Sequence, residues 1–422
     1  MTEQLRAAVL HPNLKGRVEL RRLPENALAE AVSLAEALDL EIMSAQVVQV
    51  DKPKAGELFG SGKVAELGEL FENQEVELVI VDGPLSPIQQ RNLEEKWQVK
   101  VLDRTGLILE IFGDRAATRE GVLQVDLAHL TYQKSRLVRS WTHLERQRGA
   151  MGTVGGPGET QIESDRRSIS DAILRIKSQL SKVVKTRALH RAARKKIPYP
   201  IVALVGYTNA GKSSIFNRMT GASVLEKDML FATLDPTMRA IELPNGRKVI
   251  LSDTVGFISN LPTQLVAAFR ATLEEVLDAD LILHVRDISH TDTDAQAEDV
   301  LEILNTLGVE DEKSDSMIEV WNKLDLLEED SRTARMTIAD RSPQICAISA
   351  LTGEGMSALF ERIDSSLQEP VTEEKVHIDF AQGKLRAWLF SHNLVLKENQ
   401  GDDGFDLIVR WTAKQKNQFA NL

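Results

Sequence analysis

Apolar residues in the first part of the chain form short runs that alternate with amphipathic segments. The strand-like and helix-like stretches are, in chain order, 44–50, 64–71, 76–82, 86–97 and 99–103. Ser86 before Pro87 is typical of a helix start, because serine caps free N–H groups and proline suits the first turn. This alternation predicts a small parallel α/β domain over residues 1–115.

Two longer stretches carry apolar residues at intervals of three or four, the spacing of one helix face. These positions are Leu123, Leu127, Leu130, Leu137, Trp141 and Leu144, then Ile169, Ile173, Ile176, Leu180 and Val183. They predict an antiparallel helical hairpin over residues 116–197, in which each apolar stripe covers the other. A loop with five glycines is predicted at its tip, over 149–162. It fits a plain linker and a phosphate-contacting tip equally well.

Pro198 and Pro200 end the second helix and open a new domain. A repeated order of strand, loop and helix then predicts a larger domain over 198–368. The tail, 369–422, has strand-like runs at 375–380 and 405–411 with a helical run at 383–392 between them. The expected fold class is α/β. A mostly parallel sheet with helices on both faces is preceded by the small α/β domain and the hairpin, and followed by a small α+β domain.

A phosphate-binding signature follows the first strand of the large domain. The apolar run 201–205 leads into Gly206-Tyr-Thr-Asn-Ala-Gly211-Lys212-Ser213 and then a helix, which is the P-loop pattern in the context that it requires. Backbone N–H groups and the helix N-terminus would cradle phosphates. Lys212 is expected to reach the β- and γ-phosphates, and the Ser213 hydroxyl to ligate Mg²⁺. The pattern predicts a nucleoside triphosphatase and leaves the base open.

The base is predicted by Asn322-Lys323-Leu324-Asp325, which follows the apolar run 317–321. Open α/β sheets bind ligands at the carboxyl ends of their strands. The Asp325 carboxylate can accept both the N1–H and the N2–H of guanine, whereas adenine would leave this charged acceptor unpaired. We therefore expect guanine selectivity, with the backbone of Ser349 and Ala350 as a candidate contact for guanine O6.

Two further segments complete a GTPase pattern. Asp253-Thr-Val-Gly256 follows the strand-like run 248–252. Asp253 is expected to hold Mg²⁺ through a water, and the Gly256 N–H to face the γ-phosphate. The segment from Phe231 to Thr237 lies where a switch segment belongs. Thr233 is the preferred second hydroxyl on Mg²⁺, and Thr237 is the alternative.

These motifs together define one predicted site. Its nucleotide-binding residues are Gly206, Tyr207, Thr208, Asn209, Ala210, Gly211, Lys212, Ser213, Ser214, Phe231, Ala232, Thr233, Leu234, Asp235, Asp253, Thr254, Val255, Gly256, Asn322, Lys323, Asp325, Ser349, Ala350 and Leu351. Lys212, Thr233 and Gly256 are expected to stabilise the phosphates and the transition state, while no catalytic base is identified. Phe257 replaces the glutamine that orients water in Ras-like GTPases, so a partner is expected to complete the site. Asn209 is a candidate ligand for a monovalent cation beside the phosphates, with an Asx turn as the alternative.

Composition excludes several classes of protein. No apolar run approaches the ~18 residues of a transmembrane helix, and no secretory leader is expected at the N-terminus. The single cysteine, Cys346, cannot form an internal disulfide and is expected to be a buried strand residue. These features favour a cytoplasmic protein, expected to be a monomer.

Charge is distributed unevenly along the chain. The net charge is −12, yet residues 134–196 carry 16 Lys and Arg against 5 Asp and Glu, a local +11, so the remainder carries −23. A basic segment in an acidic chain points to a phosphate-rich partner. A solvated helix face is the alternative interpretation.

The chain resembles the HflX family of GTPases over residues 40–370. The matching segments are Phe231–Thr237, Asp253-Thr-Val-Gly-Phe257, Gly155-Gly-Pro-Gly-Glu-Thr-Gln161 with Asp165-Arg-Arg167, Leu85-Ser-Pro87, Gln90-Arg-Asn-Leu-Glu94, Val101-Leu-Asp-Arg-Thr-Gly-Leu-Ile108 and Trp141-Thr-His-Leu-Glu-Arg146. The resemblance implies a GTPase on the large (50S) ribosomal subunit, with the N-terminal domain and the hairpin directed toward ribosomal RNA. It further implies separation of stalled 70S ribosomes under stress. It makes Phe257 a family feature and Asn209 a match to K⁺-dependent GTPases.

The sequence is also compatible with two other functions. The chain could be a GTP-switched stress regulator that binds a non-ribosomal protein. It could also be an RNA-remodelling ATPase that uses an N-terminal site, for which Gly60-Ser-Gly62-Lys63 is the nearest candidate. That segment lacks the P-loop spacing and the following Ser or Thr, so we interpret it as a turn before a helix.

Overall fold

The computed structural model divides into two compact units, Met1–Arg362 and Ile363–Leu422. It describes residues 4–15, 22–147, 157–194, 199–221, 237–259, 276–309, 317–368, 371–401 and 403–420. Among these residues, no helix has the length and apolar content needed to cross a membrane.

A four-stranded parallel sheet in the order β2-β1-β3-β4 forms the N-terminal part of the first unit, as predicted. Its elements are β1 Arg6–Leu14, α1 Pro24–Glu36, β2 Glu41–Val50, α2 Ser61–Asn73, β3 Leu78–Val81, α3 Pro87–Trp97, β4 Lys100–Asp103 and α4 Arg104–Arg115. Ser86 caps α3 in a capping box with Gln89, which confirms the predicted start. Gly60 precedes α2, but Ser61, Gly62 and Lys63 already form its first turn, so the interpretation of this segment as a turn before a helix is wrong for these three residues.

Two long helices follow, α5 Arg119–Gln147 and α6 Pro157–Arg194, and they pack against each other. On α6, Ile173 is buried and Ile169 and Ile176 are half-buried, as the apolar spacing predicts. The prediction of a loop over 149–162 is wrong at its end, because helix α6 begins at Pro157. Proline is favourable in a first turn, since that turn has no partner for its N–H group.

The rest of the first unit is built on a six-stranded sheet in the order β10-β9-β8-β5-β7-β6. Among the strand pairs that the structure describes in this sheet, β6–β7 is antiparallel and the others are parallel. The elements are β5 Ile201–Gly206, α7 Lys212–Thr220, β6 Thr237–Glu242, β7 Lys248–Asp253, β8 Leu281–Asp287, α8 Thr293–Leu307, β9 Ile318–Asn322, α9 Glu329–Arg341, β10 Ile345–Ala347 and α10 Met356–Ser366. The mostly parallel α/β fold is confirmed, and Cys346 is buried in β10 as expected.

One apolar cluster joins the two sheets of this unit. It contains Leu34 of α1 and Phe112 of α4 together with Val205 of β5, Val300 of α8 and Phe257. The N-terminal sheet and the larger sheet therefore share a buried core, which lies beside the start of the P-loop.

The second unit contains an antiparallel sheet in the order β11-β13-β12. Its elements are β11 Val371–Asp379, α11 Gly383–Ser391, β12 Val395–Gln400, β13 Gly404–Thr412 and α12 Ala413–Ala420. Ile378, Leu389, Val409 and Trp411 form its buried core. The α+β character was predicted, whereas β12 and α12 were missed.

Candidate nucleotide site

The P-loop connects the end of β5 to the start of α7. The ammonium group of Lys212 donates to the carbonyls of Gly206 at 3.1 Å and Tyr207 at 2.7 Å. Lys212 is buried, and burial lowers the pKa of its ammonium group to about 8, although the Asp253 carboxylate opposes this shift. The P-loop backbone therefore surrounds the Lys212 ammonium group. When a nucleotide binds, phosphate oxygens would replace the two carbonyls as its acceptors.

Gly211 stands where the loop and the base-recognition segment meet. Its φ is +92°, and a Cβ there would lie 2.1 Å from Nδ2 of Asn322. The same Nδ2 donates to the Ala210 carbonyl at 2.9 Å, and Oδ1 accepts from the Ala350 N–H at 2.9 Å. Only glycine fits this position, and Asn322 ties three segments of the predicted site together.

A hydroxyl and a carboxylate meet at the N-terminus of α7. Oγ of Ser213 donates to Oδ2 of Asp253 at 2.8 Å. Asp253 ends β7 and is buried. Oxygen ligands of this kind suit Mg²⁺, so the residues present fit the predicted ion.

The segment after Asp253 is bound to the P-loop through its backbone. Thr208 N–H donates to the Phe257 carbonyl at 2.8 Å, and Phe257 N–H donates to the Gly206 carbonyl at 3.1 Å. The hydroxyl of Thr254 donates to the Leu204 carbonyl at 2.6 Å, so this predicted site residue holds the backbone in place. Among the described residues, the buried Oγ1 of Thr208 has no hydrogen-bond partner, so the loop offers an unused hydroxyl near Gly256.

Phe257 is 1% exposed and packs into the shared apolar cluster. Its ring therefore faces the core, and a phenyl ring has no hydrogen-bonding group that could orient a water. Tyr207 and Ile258 belong to the same cluster.

The base-recognition residues converge at the carboxyl ends of β9 and β10. Ser349 donates its hydroxyl hydrogen bond to Asp325, and the Thr352 N–H donates to Oγ of Ser349 at 3.1 Å. Lys323 forms an ion pair with Asp287 at 2.7 Å. Asp325 is half-buried, so one of its faces remains accessible to a ligand.

The remaining predicted residues differ in how the structure places them. Phe231, Ala232, Thr233, Leu234 and Asp235 lie outside the described residues. Thr237, the alternative to Thr233, begins β6 and pairs in register with Asp253. Asn209 is exposed with a φ of +58°, and Leu351 is 78% exposed.

The side chain of Tyr207 turns away from the P-loop toward the N-terminal sheet. Its hydroxyl donates to Oε2 of Glu30 at 2.6 Å and accepts from Arg22 at 2.7 Å and from the Ser259 N–H at 2.8 Å. Arg104 donates to Ser259 and to Asp82 and forms an ion pair with Glu30. We call Arg22, Glu30, Asp82, Arg104, Tyr207 and Ser259 the interdomain cluster.

Sequence reasoning missed the roles of the interdomain cluster. The signal that was available is Val101-Leu-Asp-Arg-Thr, which carried the family resemblance without an assigned role for Arg104. Burial alone would lower the pKa of the Arg104 guanidinium, but Asp82 and Glu30 raise it above its ordinary value. Burial and Glu30 raise the pKa of Tyr207, so its hydroxyl stays protonated and can donate.

A second buried polar group lies on β8. His284 is 1% exposed, and neither of its ring nitrogens has a hydrogen-bond partner among the described residues. Burial lowers its pKa to about 4, against the opposing effect of Glu319 and with help from Arg286 and Lys212. The imidazole is therefore neutral at neutral pH.

Family models match the chain in four consecutive stretches. They describe a GTP-binding GTPase N-terminal domain over 25–113, a GTP-binding GTPase middle region over 115–194, a 50S ribosome-binding GTPase over 201–323 and an HflX C-terminal domain over 334–421.

Curated relatives are similar over most of their length. A GTPase HflX from Magnetococcus marinus is 49% identical over 90% of this chain and 87% of its own. One from Escherichia coli K12 is 42% identical over 89% of this chain and 87% of its own. A solved structure of a GTP-binding protein from Sulfolobus solfataricus with GDP covers 86% of this chain and 98% of its own, at 22% identity and a TM-score of 0.46.

Proposed function

The chain belongs to the HflX family of GTPases, and we propose that it uses the site described above to act on the large ribosomal subunit. GTP hydrolysis follows from the family and from the GTPase domain. The proposed steps are binding of guanine at Asp325, binding of phosphates at Lys212, hydrolysis of GTP to GDP and phosphate, and splitting or rescue of stalled 70S ribosomes under stress.

The proposal for the nucleotide rests on one observation: Lys212, the Ser213–Asp253 pair and the Asp325–Ser349 pair lie at the carboxyl ends of neighbouring strands in one sheet. Asp325 would read the purine edge while Lys212 neutralises the phosphates. The Gly256 N–H would face the γ-phosphate. No residue is assigned as the general base.

Ser213 would hold Mg²⁺ directly, and Asp253 through a water. When bound, Mg²⁺ would neutralise the negative charge that develops on the phosphates during phosphoryl transfer. The second hydroxyl ligand is proposed to be Thr233. K⁺ binding at Asn209 stays a prediction, and the positive φ of this residue is equally suited to an Asx turn.

The ribosomal partner is supported by the charge of the long helices. On α6, Arg166, Arg175 and Lys177 are exposed, while Ile173 is buried and Ile169 and Ile176 are half-buried. Exposed cations can displace counterions from RNA phosphates, and this displacement contributes binding free energy. The proposal therefore places ribosomal RNA against α6 and the N-terminal sheet, in the cytoplasm.

Sedimentation with purified 50S, 30S and 70S particles tests this function, with GDP and with a non-hydrolysable GTP analogue. We expect co-sedimentation with 50S particles in the GTP-like state, and GTP turnover that rises many-fold with added 50S. Turnover that stays constant across a saturating 50S titration would refute the ribosomal role. Nuclease-resistant capture of a non-ribosomal protein, with no 50S binding, would instead support the stress-regulator alternative.

A double charge reversal on α6 tests whether its cations contribute to 50S binding more than lysines elsewhere on the surface do. Arg175→Glu together with Lys177→Glu is expected to weaken 50S binding at least tenfold and to reduce its salt dependence. Lys375→Glu, an equally exposed lysine on β11, is the control and is expected to change 50S binding less than twofold. Basal GTP turnover without ribosomes should be equal in all three proteins.

A further inference from the structure

Arg218 lies in the last turn of α7, the helix that begins at the P-loop. Its guanidinium donates to three consecutive backbone carbonyls, Ala350 at 2.8 Å, Leu351 at 2.9 Å and Thr352 at 2.9 Å. Arginine is the side chain that can make such a contact, because its N–H groups are fixed in a planar fork. No motif used in the sequence analysis includes this residue.

The loop is shaped to receive this guanidinium. Gly353 has a φ of +91°, and a Cβ there would lie 2.3 Å from Nη2 of Arg218 and 2.9 Å from its central carbon. Any side chain at 353 would therefore displace the guanidinium or the loop. The contact is built from both sides, by an arginine on the helix and a glycine in the loop.

The contact also sets the direction of the peptide groups in the loop. In a trans peptide the carbonyl and the following N–H point in opposite directions. Because the Ala350 carbonyl points at Arg218, the Leu351 N–H points away from it. On the other side, Asn322 accepts the Ala350 N–H. Arg218 and Asn322 together fix the orientation of both N–H groups that follow Ser349.

We propose that Arg218 is a positioning residue for guanine recognition, which aims the backbone N–H group of Leu351 at the O6 atom of the base while Asn322 holds the Ala350 N–H. This rests on the proposed guanine site at Asp325. Arg218 does so from a helix whose first residue, Lys212, serves the phosphates. Helix α7 thereby fixes the position of the loop after Ser349 relative to the P-loop.

Equilibrium binding of three diphosphates in the presence of Mg²⁺ tests the proposal. GDP offers all contacts, 6-thio-GDP replaces only O6 with a weaker acceptor, and IDP lacks only the N2 amine. For Arg218→Lys, we expect GDP affinity to fall about threefold to tenfold, the value of one hydrogen bond. The preference for GDP over 6-thio-GDP should fall by the same factor, while the preference for GDP over IDP stays unchanged.

A second variant approaches the same contact from the loop. Gly353→Ala should reproduce the loss of preference for GDP over 6-thio-GDP, and the double variant should lose no more than either single one, because both remove one interaction. Gly308→Ala is the matched control. Gly308 has a φ of +87° with no atom within 4 Å of an added Cβ, so it carries the backbone strain without the collision. It should bind all three diphosphates as the parent does.

The outcomes distinguish the guanine site at Asp325 from the positioning role of Arg218. Equal weakening of GDP and 6-thio-GDP in Arg218→Lys and Gly353→Ala, with their ratio unchanged, would overturn the role of Arg218. If Asp325→Asn leaves both GDP affinity and the GDP-to-IDP ratio unchanged, the guanine site itself is misplaced. If Asp325→Asn weakens GDP binding but the Arg218 and Gly353 variants keep the parental preference for GDP over 6-thio-GDP, the guanine site is supported and the positioning role of Arg218 is refuted.

Discussion

The hydroxyl of Tyr207, the second residue of the P-loop, donates a 2.6 Å hydrogen bond to Glu30 on α1. The two residues are separated by 177 positions in sequence. The same hydroxyl accepts from the Ser259 N–H, three residues beyond Gly256. One oxygen atom therefore connects the N-terminal sheet, the phosphate loop and the segment that would sense the γ-phosphate.

Tyr207→Phe removes this oxygen and leaves the ring in the apolar cluster. We expect a stability loss of about 1–3 kcal/mol, because the half-buried Ser259 N–H and Glu30 each lose a partner. Thermal unfolding measures the loss, and amide hydrogen exchange should show faster exchange at Ser259. Tyr199→Phe, at a tyrosine that is 38% exposed, is the control and should change neither quantity. An unchanged exchange rate at the Ser259 amide would show that the Tyr207 hydroxyl does not stabilise this segment.

Arg104→Leu tests the charge balance of the interdomain cluster. Burial alone would raise the pKa of Asp82, but Arg104 and His11 hold it below its usual range. In the parent, the stability contributed by ionised Asp82 is present above pH ~4 and is lost only as the pH falls through the lowered folded-state pKa. We therefore expect a nearly constant contribution between pH 8 and 5.

Without Arg104, the same carboxylate is buried with less opposing charge. We expect Arg104→Leu to cost about 3–5 kcal/mol at pH 8 and less at pH 5, because the folded state then binds a proton more readily. Urea unfolding at both pH values measures the difference. Arg91→Leu removes an exposed arginine that pairs with Glu95 at i+4, and should cost under about 1 kcal/mol at either pH. A cost for Arg104→Leu that grows toward pH 5 would contradict this account.

Phe257→Gln tests whether position 257 serves the apolar core or could orient the attacking water as the glutamine of Ras-like GTPases does. Because the ring is 1% exposed among apolar neighbours, we expect the variant to lose about 3 kcal/mol or more of stability. We expect no increase in GTP turnover, since the position faces the core. Phe257→Leu, which keeps the site apolar, should lose less and retain the parental turnover. Faster hydrolysis by the glutamine variant would show that the side chain reaches the phosphates.

The mostly parallel sheet and the order of the motifs could be predicted because both are encoded locally. Apolar runs such as 201–205 mark buried strands, and the motifs follow strand ends. Strand β1 was missed because its apolar run, Ala7–Leu10, is followed by His11, Pro12 and Asn13. Its four buried residues nevertheless form the centre of the N-terminal sheet.

The interdomain cluster and the Arg218 contact could not be predicted, because each depends on residues distant in sequence. Arg218 lies 132 positions before Ala350, and nothing in its local pattern distinguishes it from a solvated helix residue. Glu30 similarly reads as a polar position on an amphipathic helix. Partners of this kind emerge only once the topology brings strand ends and helix ends together.

His284→Asn tests a buried base. A folded-state pKa of about 4 against 6.5 unfolded means that the unfolded chain binds a proton first as the pH falls. Parental stability should therefore decrease from pH ~7 to pH ~4, by about 3 kcal/mol in total. The asparagine variant should lack this decrease, which calorimetric unfolding across the pH range would measure. Val205→Ala, at the residue paired in register with His284, should lower stability by a similar amount at every pH.

Asp325→Asn tests the base-reading residue with its fold intact, because the Ser349 hydroxyl can still donate to an amide oxygen at this position. We expect GDP affinity to fall by about 2–3 kcal/mol, since a charged acceptor for two guanine N–H groups is lost. Xanthosine diphosphate should bind the variant better than the parent, because its 2-carbonyl can accept from the new amide N–H. Asp330→Asn, at an exposed aspartate in α9, is the matched control. GDP affinity within a factor of two of the parent would place guanine recognition elsewhere in the chain.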